Sequence, residues 1–294
     1  MPKVSVIIPT YKRANMLERA INTVLKQTYK NIEIIVVDDN DPSTEYRKNT
    51  NKLMEKYKDN NKVKYIKHNK NKNGAAARNT GIRFSTGDLL CFLDDDDWYL
   101  ENKLELQVSY LLQNPQYKAV YCGWYRDGKD TRPQKEGILS YEILSGEMKI
   151  FTNAIMIWRD IAIEIGGWDE KFIRNQEAVF LLRLFNHGYG IGVIPDVLVN
   201  FDISDRSNEL PPLQNKKLYD FYLDYHKETI TMLEKKVKNA KKKIYTKRYR
   251  GVLFALIKRR EFINALKHYL NTIKVYPIQF NKEIIRHILS KINI

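Results

Sequence analysis

Four carboxylates stand side by side in "CFLDDDDWYL", Asp94 to Asp97, directly after an apolar run. Adjacent negative charges at the edge of a packed core repel one another and are costly to keep ionised. A divalent cation relieves that repulsion. In an extended chain alternate side chains share a face, so Asp94 and Asp96 point together. One or two carboxylates plus substrate phosphates is how Mg2+ or Mn2+ is commonly held. The alternative is a solvated turn, with Asp97 favoured by the helix that follows over 101–113, but the convergence of the other strand ends favours the cation. Other groups with chemical capacity are Thr10 and Tyr11 after the first apolar run, the pair Asp38-Asp39 after the second, Arg78 and Glu177. The two cysteines, Cys91 and Cys122, lie in apolar, strand-like sequence and read as buried free thiols, with no disulfide framework or zinc spacing. The five histidines show no ligand spacing.

The elements that position these groups alternate. "VSVII" (4–8), "IEIIVV" (32–37), "VKYI" (63–66) and "DLLCFL" (88–93) read as buried strands. Between them come a helix with apolar positions Leu17, Ala20, Ile21, Val24 and Leu25, a polar helix over about 43–58, and a helix opening at "GAAARNTG". Asn15 with Glu18 resembles an N-cap and its box partner. This β-α alternation argues for a parallel sheet with helices on both faces, and such sheets bind ligands outside the carboxyl ends of their strands. Thr10, Asp38, Asp39 and the acidic run all fall at carboxyl ends. Beyond 117 the pattern is mixed. "KAVYCGWY", "NAIMIW" and "IGVIP" read as strands, and "RDIAIEIG" and "NQEAVFLLRLFNHG" as helices.

These motifs, in this order, resemble the inverting glycosyltransferases of family 2: "VSVIIPTYKRANMLERAINTVLKQTYKNIEIIVVDDN", "GAAARNTG", "FLDDDDW" and "GGWDEKF…RNQEAVFLLRL". The resemblance covers about residues 1–205. It implies a GT-A fold: an α/β, Rossmann-like, mostly parallel nucleotide-binding sheet with flanking helices. It implies transfer of a sugar from a nucleotide-diphosphate donor, with UDP expected, to a hydroxyl of a glycan or lipid-linked acceptor in bacterial cell-surface polysaccharide synthesis. Pro9, Thr10 and Tyr11 match positions that contact the nucleotide, and Asp39 the carboxylate that accepts from the base. Arg78 matches an arginine near the nucleotide. Asp94 and Asp96 match the DxD motif, Asp96 foremost for Mn2+ or Mg2+, with Asp95 on the ribose or the metal. Glu177 matches the catalytic base, where the family more often has Asp. Trp168 and Asp169 match an acceptor-side loop, with Gly166-Gly167 allowing a tight turn. Arg206 in "SDRSN" could reach the diphosphate once a flexible loop closes.

The charge divides unevenly. Of a net +15 over 294 residues, residues 216–294 carry 20 Lys/Arg against 6 Asp/Glu, a net of +14. A catalytic domain over 1–212 and a basic helical segment over 213–294 are therefore expected. That segment could meet an anionic membrane surface, a polyanionic glycan or nucleic acid, the last least favoured, or form a bundle or homo-oligomer contact with a solvated basic face. "MPKVSVIIPT" enters a strand without a signal-peptide core, and no apolar run approaches the length needed to span a bilayer. A cytoplasmic protein, peripheral on the inner face of the membrane, is the expectation. Rival readings are a non-catalytic binding or scaffold protein on the same fold, a nucleotidyltransferase, and a phosphoacceptor module. "PTYKRANML" lacks the glycine- and lysine-rich phosphate loop that the second would normally use. The chain runs well past the length of the third.

Overall fold

The computed structural model describes residues 1–204 and 210–292. The chain forms two compact units: Met1–Leu139 with Ile150–Asp205, and Ser140–Lys149 with Arg206–Ile294. This division differs from the expected boundary at 212 chiefly because a ten-residue excursion out of the first unit belongs to the second.

In the first unit the chain runs β1 (Val4–Thr10), α1 (Ala14–Leu25), β2 (Ile32–Asp38), α2 (Glu45–Met54), β3 (Val63–Lys67), α3 (Gly74–Phe84) and β4 (Leu89–Phe92). It continues through β5 (Trp98–Tyr99), α4 (Lys103–Gln113), β6 (Ala119–Arg126) and β7 (Lys129–Thr131). After the excursion, which holds α5 (Ser140–Ser145), come β8 (Ile155–Trp158), α6 (Arg159–Glu164), α7 (Gln176–Asn186) and β9 (Ile191–Asn200). One sheet takes the order β3-β2-β1-β4-β8-β6-β9-β5, with β7 beside β6. The β3-β2-β1-β4 half is parallel, as the alternation predicts. The other half is mixed: β8 is antiparallel to β4 and β6, while β9 is parallel to β6. β2 is buried along its whole length, as a strand covered on both faces must be. Gly81 of α3 lies against Ile7, where a Cβ would collide with the isoleucine side chain. That residue lets α3 approach β1 closely.

The register sets the working edge. Thr10 pairs with Asp38, Asp38 with Lys67 and Ile7 with Phe92, so four carboxyl ends lie together. Because β8 runs antiparallel to β4, its start, preceded by Asn153, reaches the same edge, as does the end of β9. The α1 cap differs from expectation. The helix begins at Ala14 after Arg13, with no side-chain cap. Glu18, expected as a cap partner, instead holds Lys56 at 2.9 Å. Both cysteines are buried and free, and burial pushes the Cys122 thiol up to about 12.

The opposite edge of the sheet is tied by one glutamate inside an apolar strand. Glu33 of β2 accepts from Ser5 Oγ at 2.6 Å, Thr86 N–H at 2.6 Å, Lys64 Nζ at 2.8 Å and Lys3 Nζ at 3.1 Å. Burial alone would raise its pKa. The hydrogen bonds from Lys64, Ser5, Thr86 and Lys3 outweigh that and hold it far below the usual carboxylate range. The tie connects β1, β2, β3 and the turn into β4.

The second unit comprises α5, α8 (Pro212–Tyr225), α9 (Lys227–Glu234), α10 (Ala240–Lys258), α11 (Phe262–Val275) and α12 (Pro277–Ile292). Arg248 of α10 donates to the α5 carbonyls of Leu144 and Ile143 at 2.9 and 2.6 Å, and Lys247 pairs with Glu147. These contacts recruit the excursion. Val252, Leu253 and Leu256 of α10 pack with Ala265 and Phe280. Asn239, just before α10, and Arg260, between α10 and α11, both have positive φ (59° and 61°).

A Glu33→Gln substitution is expected to lower stability at neutral pH by about 2–4 kcal/mol, since it strands donors around a buried site. The folded pKa lies below the unfolded value of about 4.3. The contribution is therefore complete above that value and is lost as pH falls through the folded pKa. Urea titration from pH 7 to pH 3 should show the gap between wild type and variant closing on the acid side. A constant gap would contradict this account.

Candidate active site

The acidic run is a turn, with Asp97 N–H donating to the Asp94 carbonyl at 3.1 Å, and not the extended segment expected. Alternation survives nonetheless: Asp95 and Asp97 are buried, Asp94 and Asp96 partly open. The buried pair is fixed from both sides. Asp95 accepts from Thr10 Oγ1 at 2.7 Å and Tyr11 N–H at 3.3 Å. Asp97 accepts from Asp202 N–H at 2.7 Å and from the Asn153 side chain. The open pair faces arginines. Asp96 meets Arg13 at 2.7 Å and Asp94 meets Arg78 at 2.5 Å.

The charge is not fully balanced. Burial pushes Asp97 up to about 9, with Asp94 and Asp96 adding to it. Burial likewise pushes Asp95 up to about 7 against the pull of Thr10 and Arg13. Asp96 is raised by burial and by Asp94. A turn that resists its own ionisation fits a hard cation. Side-chain exposure is 36% at Asp94, 18% at Asp96 and only 6% at Asp95, so the first two are the available ligands. Among the described residues no group of three or more ligating side chains converges. A cation here would complete its shell from phosphate oxygens and water, as Mg2+ commonly does.

Arg78 joins this turn to a second group. From α3 it reaches Asp94 with one nitrogen and Gln176 Oε1 with another at 2.8 Å, its guanidinium 5.0 Å from the Trp168 ring centre. Its Nε is buried with no hydrogen-bond partner. Gln176 is held in turn by the Phe172 carbonyl at 2.7 Å. Glu177, half-buried, lies in the first turn of α7 beside it. The acidic turn and the start of α7 are thus a single arrangement.

Several expected roles meet a different geometry. Trp168 is 1% exposed, stacked on Phe180 at 4.4 Å and edge-on to Phe92 at 5.0 Å, so it is core and offers no acceptor surface. Asp169 is buried and accepts from Arg183 at 2.6 Å and Lys171 N–H at 3.0 Å. It stabilises the turn after Gly166 and Gly167, whose φ values of 80° and 62° suit glycine. Asp39 accepts from His68 Nδ1, Lys72 N–H, Asn71 Nδ2 and Asn73 N–H at 2.7–3.0 Å. That fills the roughly four acceptor sites of a carboxylate, so a base has no vacant one. The other ring nitrogen of His68, Nε2, lies 2.9 Å from Thr80 Oγ1. Asp38 is structural, bonded to Tyr65 OH at 2.5 Å and Asn40 N–H at 2.9 Å. Pro9 ends β1 with Thr10, and Tyr11 is exposed under Lys12 Nζ at 4.8 Å. Arg206 lies outside the described residues.

Sequence reasoning missed Arg13, Arg19, Asn79, Asn153 and Asp202. Arg19 lies over the Trp98 ring at 4.3 Å and bonds Asp202 at 2.8 Å. Asn153 also accepts from Asp94 N–H at 3.0 Å. Asn79 clamps the Trp168 backbone, accepting its N–H at 2.9 Å and donating to its carbonyl at 2.8 Å. The signal for the arginines was present in "YKRANMLERA", which puts cations just past a strand end.

Comparison with known proteins places the chain. The family model described as Glycosyl transferase family 2 matches residues 5–175, and the chain belongs to that family. An uncharacterized glycosyltransferase of Rickettsia bellii is 45% identical over 112 residues, 38% of this chain and only 15% of that relative's length. A GalNAc(5)-diNAcBac-PP-undecaprenol beta-1,3-glucosyltransferase of Campylobacter jejuni is 28% identical over 84% of this chain and 79% of its own. S. aureus TarS residues 1–349, solved with UDP-GlcNAc, aligns with a TM-score of 0.60 at 14% identity over 98% of this chain and 92% of that one. The mannosyltransferase PcManGT of Pyrobaculum calidifontis, solved with GDP-Man and Mn2+, gives 0.57 at 18% identity over 96% and 73%. At such identities the structural likeness is one of fold, and the fold is GT-A.

Trp168→Ala is expected to cost about 3–5 kcal/mol in a denaturant titration, the usual range for emptying a buried aromatic site. A loss below about 1 kcal/mol, with a change confined to acceptor KM, would restore the acceptor role.

Proposed function

We propose that this protein is an inverting, metal-assisted glycosyltransferase that moves a sugar from a nucleoside-diphosphate donor, a UDP-sugar, to a hydroxyl of a glycan or lipid-linked acceptor. One observation carries the reading. Arg78 links the acidic turn to Gln176, the neighbour of Glu177, so a diphosphate-side group and a carboxylate base share one edge. Support comes also from the family, from the lipid-linked substrate in the Campylobacter relative's name, and from the UDP-GlcNAc and Mn2+ bound by the two structural neighbours.

Asp96 and Asp94 would hold the cation, which when bound offsets charge on the leaving diphosphate. Thr10 Oγ1 donates to Asp95 at 2.7 Å and would hold the turn that carries Asp94 and Asp96. Arg78 presents positive charge to the developing phosphate. Asp39 fixes the 71–73 segment around the nucleotide. It accepts a base only by releasing one of its present donors, and the Asn71 side chain is the one free to rotate. Glu177 removes the acceptor hydroxyl proton as that oxygen bonds to the anomeric carbon from the face opposite the nucleotide. The bond from that carbon to the phosphate oxygen breaks, and its electron pair leaves with the nucleoside diphosphate. No covalent sugar–enzyme intermediate is needed.

Thermal unfolding with nucleotides tests the donor site. UDP with Mn2+ at about a hundredfold excess over Kd is expected to raise Tm by about 5–10 °C. Asp96→Asn should remove the metal-dependent part. Glu177→Gln should keep the shift yet lose about 100- to 10,000-fold in transfer rate. Absence of any nucleotide shift in a folded sample would overturn the reading. Release of pyrophosphate from a nucleoside triphosphate would indicate nucleotidyl transfer. A wild type that binds nucleotide but turns over no sugar with any acceptor would favour a binding protein.

A further inference from the structure

The helices α11 and α12 each bury one face and leave a second apolar face uncovered. Inward, α11 packs Ala265, His268 and Thr272, and α12 packs Phe280 and Glu283. Outward, Phe262, Leu266 and Leu270 recur at four-residue spacing along α11, and Ile285, Leu289 and Ile292 at spacings of four and three along α12. These six side chains are 44–68% exposed. A surface helix of an ordinary domain is polar on that side.

Each stripe has one basic border. At 100° per residue Lys267 and Lys274 both lie beyond one edge of the α11 stripe, and Lys282 and Arg286 both lie beyond one edge of that of α12. All four are exposed. The one acidic residue between 262 and 292, Glu283, is 1% exposed and paired with Arg250 at 3.4 Å and Arg286 at 3.1 Å. The outer surface of both helices therefore offers apolar side chains and positive charge with no accessible carboxylate.

We propose that this α11–α12 face docks in the plane of an anionic lipid surface, its apolar stripe among the acyl chains and its lysines at the headgroups. That combination is what in-plane amphipathic helices use. No helix among the described residues is long and apolar enough to cross a membrane, so contact through these helices is interfacial. A second copy of the chain would bring the same basic border against itself, which charge repulsion disfavours. Nucleic acid would satisfy the lysines and leave the apolar stripe wet. The inference does not depend on the transferase reading, and its test uses no nucleotide.

Flotation of the full chain with vesicles checks it. Binding is expected to vesicles of phosphatidylcholine with 30% phosphatidylglycerol, and at least tenfold less to phosphatidylcholine alone. L266E/I285E, whose sites are exposed, should keep the helical signal and Tm and lose tenfold or more in partitioning. K267E/K282E should lose the preference for the anionic lipid. Wild type that stays off anionic vesicles overturns the proposal, as does an L266E/I285E variant that binds undiminished. A dimer seen by light scattering, split by L266E/I285E, also overturns it in favour of self-association.

Discussion

The site depends on one imbalance: four carboxyl groups in one turn, with two arginines from other elements set against the open pair. Each ionised carboxylate raises the cost of ionising the next, and burial adds to it. The fold restrains that charge without cancelling it. Thr10, Tyr11 N–H, Asn153 and Asp202 N–H hold the buried pair by hydrogen bonds, while Arg13 and Arg78 neutralise the open pair. These partners come from the end of β1 and the turn after it, from α3, from before β8 and from after β9. A turn that needs every one of those segments in register is assembled only when the whole sheet is.

The opposite edge answers the same need in another way. Glu33 is also a buried carboxylate, but it is surrounded by donors and two lysines and its charge is stabilised where it stands. The two edges separate two uses of buried charge. At Glu33 the charge is satisfied internally and serves cohesion. At Asp94–Asp97 it is left partly unsatisfied, the condition under which an external cation gains most by binding.

The parallel half of the fold was legible because its strands are continuous apolar runs ending in polar clusters, as at Val37-Asp38 and Leu93-Asp94. The mixed half was legible as elements only. Nothing local to "NAIMIW" says that it runs antiparallel between β4 and β6. Likewise Trp168 carries its family position in the sequence, but its burial depends on Phe92 and Phe180, residues 76 positions before it and 12 after. The saturation of Asp39 was hidden for the same reason: its donors come from 68–73, beyond α2 and β3. The tail was legible as helices from its apolar spacing, but the points where one helix gives way to the next were not, and two of these lie at Asn239 and Arg260. Asparagine visits the left-handed region more readily than most residues, whereas arginine gives no such signal.

If Glu177 is the base, as proposed, its extra methylene relative to an aspartate can be weighed against this geometry. Gln176 is anchored at both ends of its amide, by Arg78 and by the Phe172 carbonyl, and this fixes the start of α7. The backbone of residue 177 therefore cannot retreat to compensate for a longer side chain. Its carboxylate stands about one bond length further out than an aspartate's would. Under the proposed reaction the acceptor hydroxyl must then approach the anomeric carbon with that much more room between it and α7. The consequence falls on the choice of acceptor and leaves the chemistry of proton removal unchanged, because both side chains end in the same group with nearly the same intrinsic pKa.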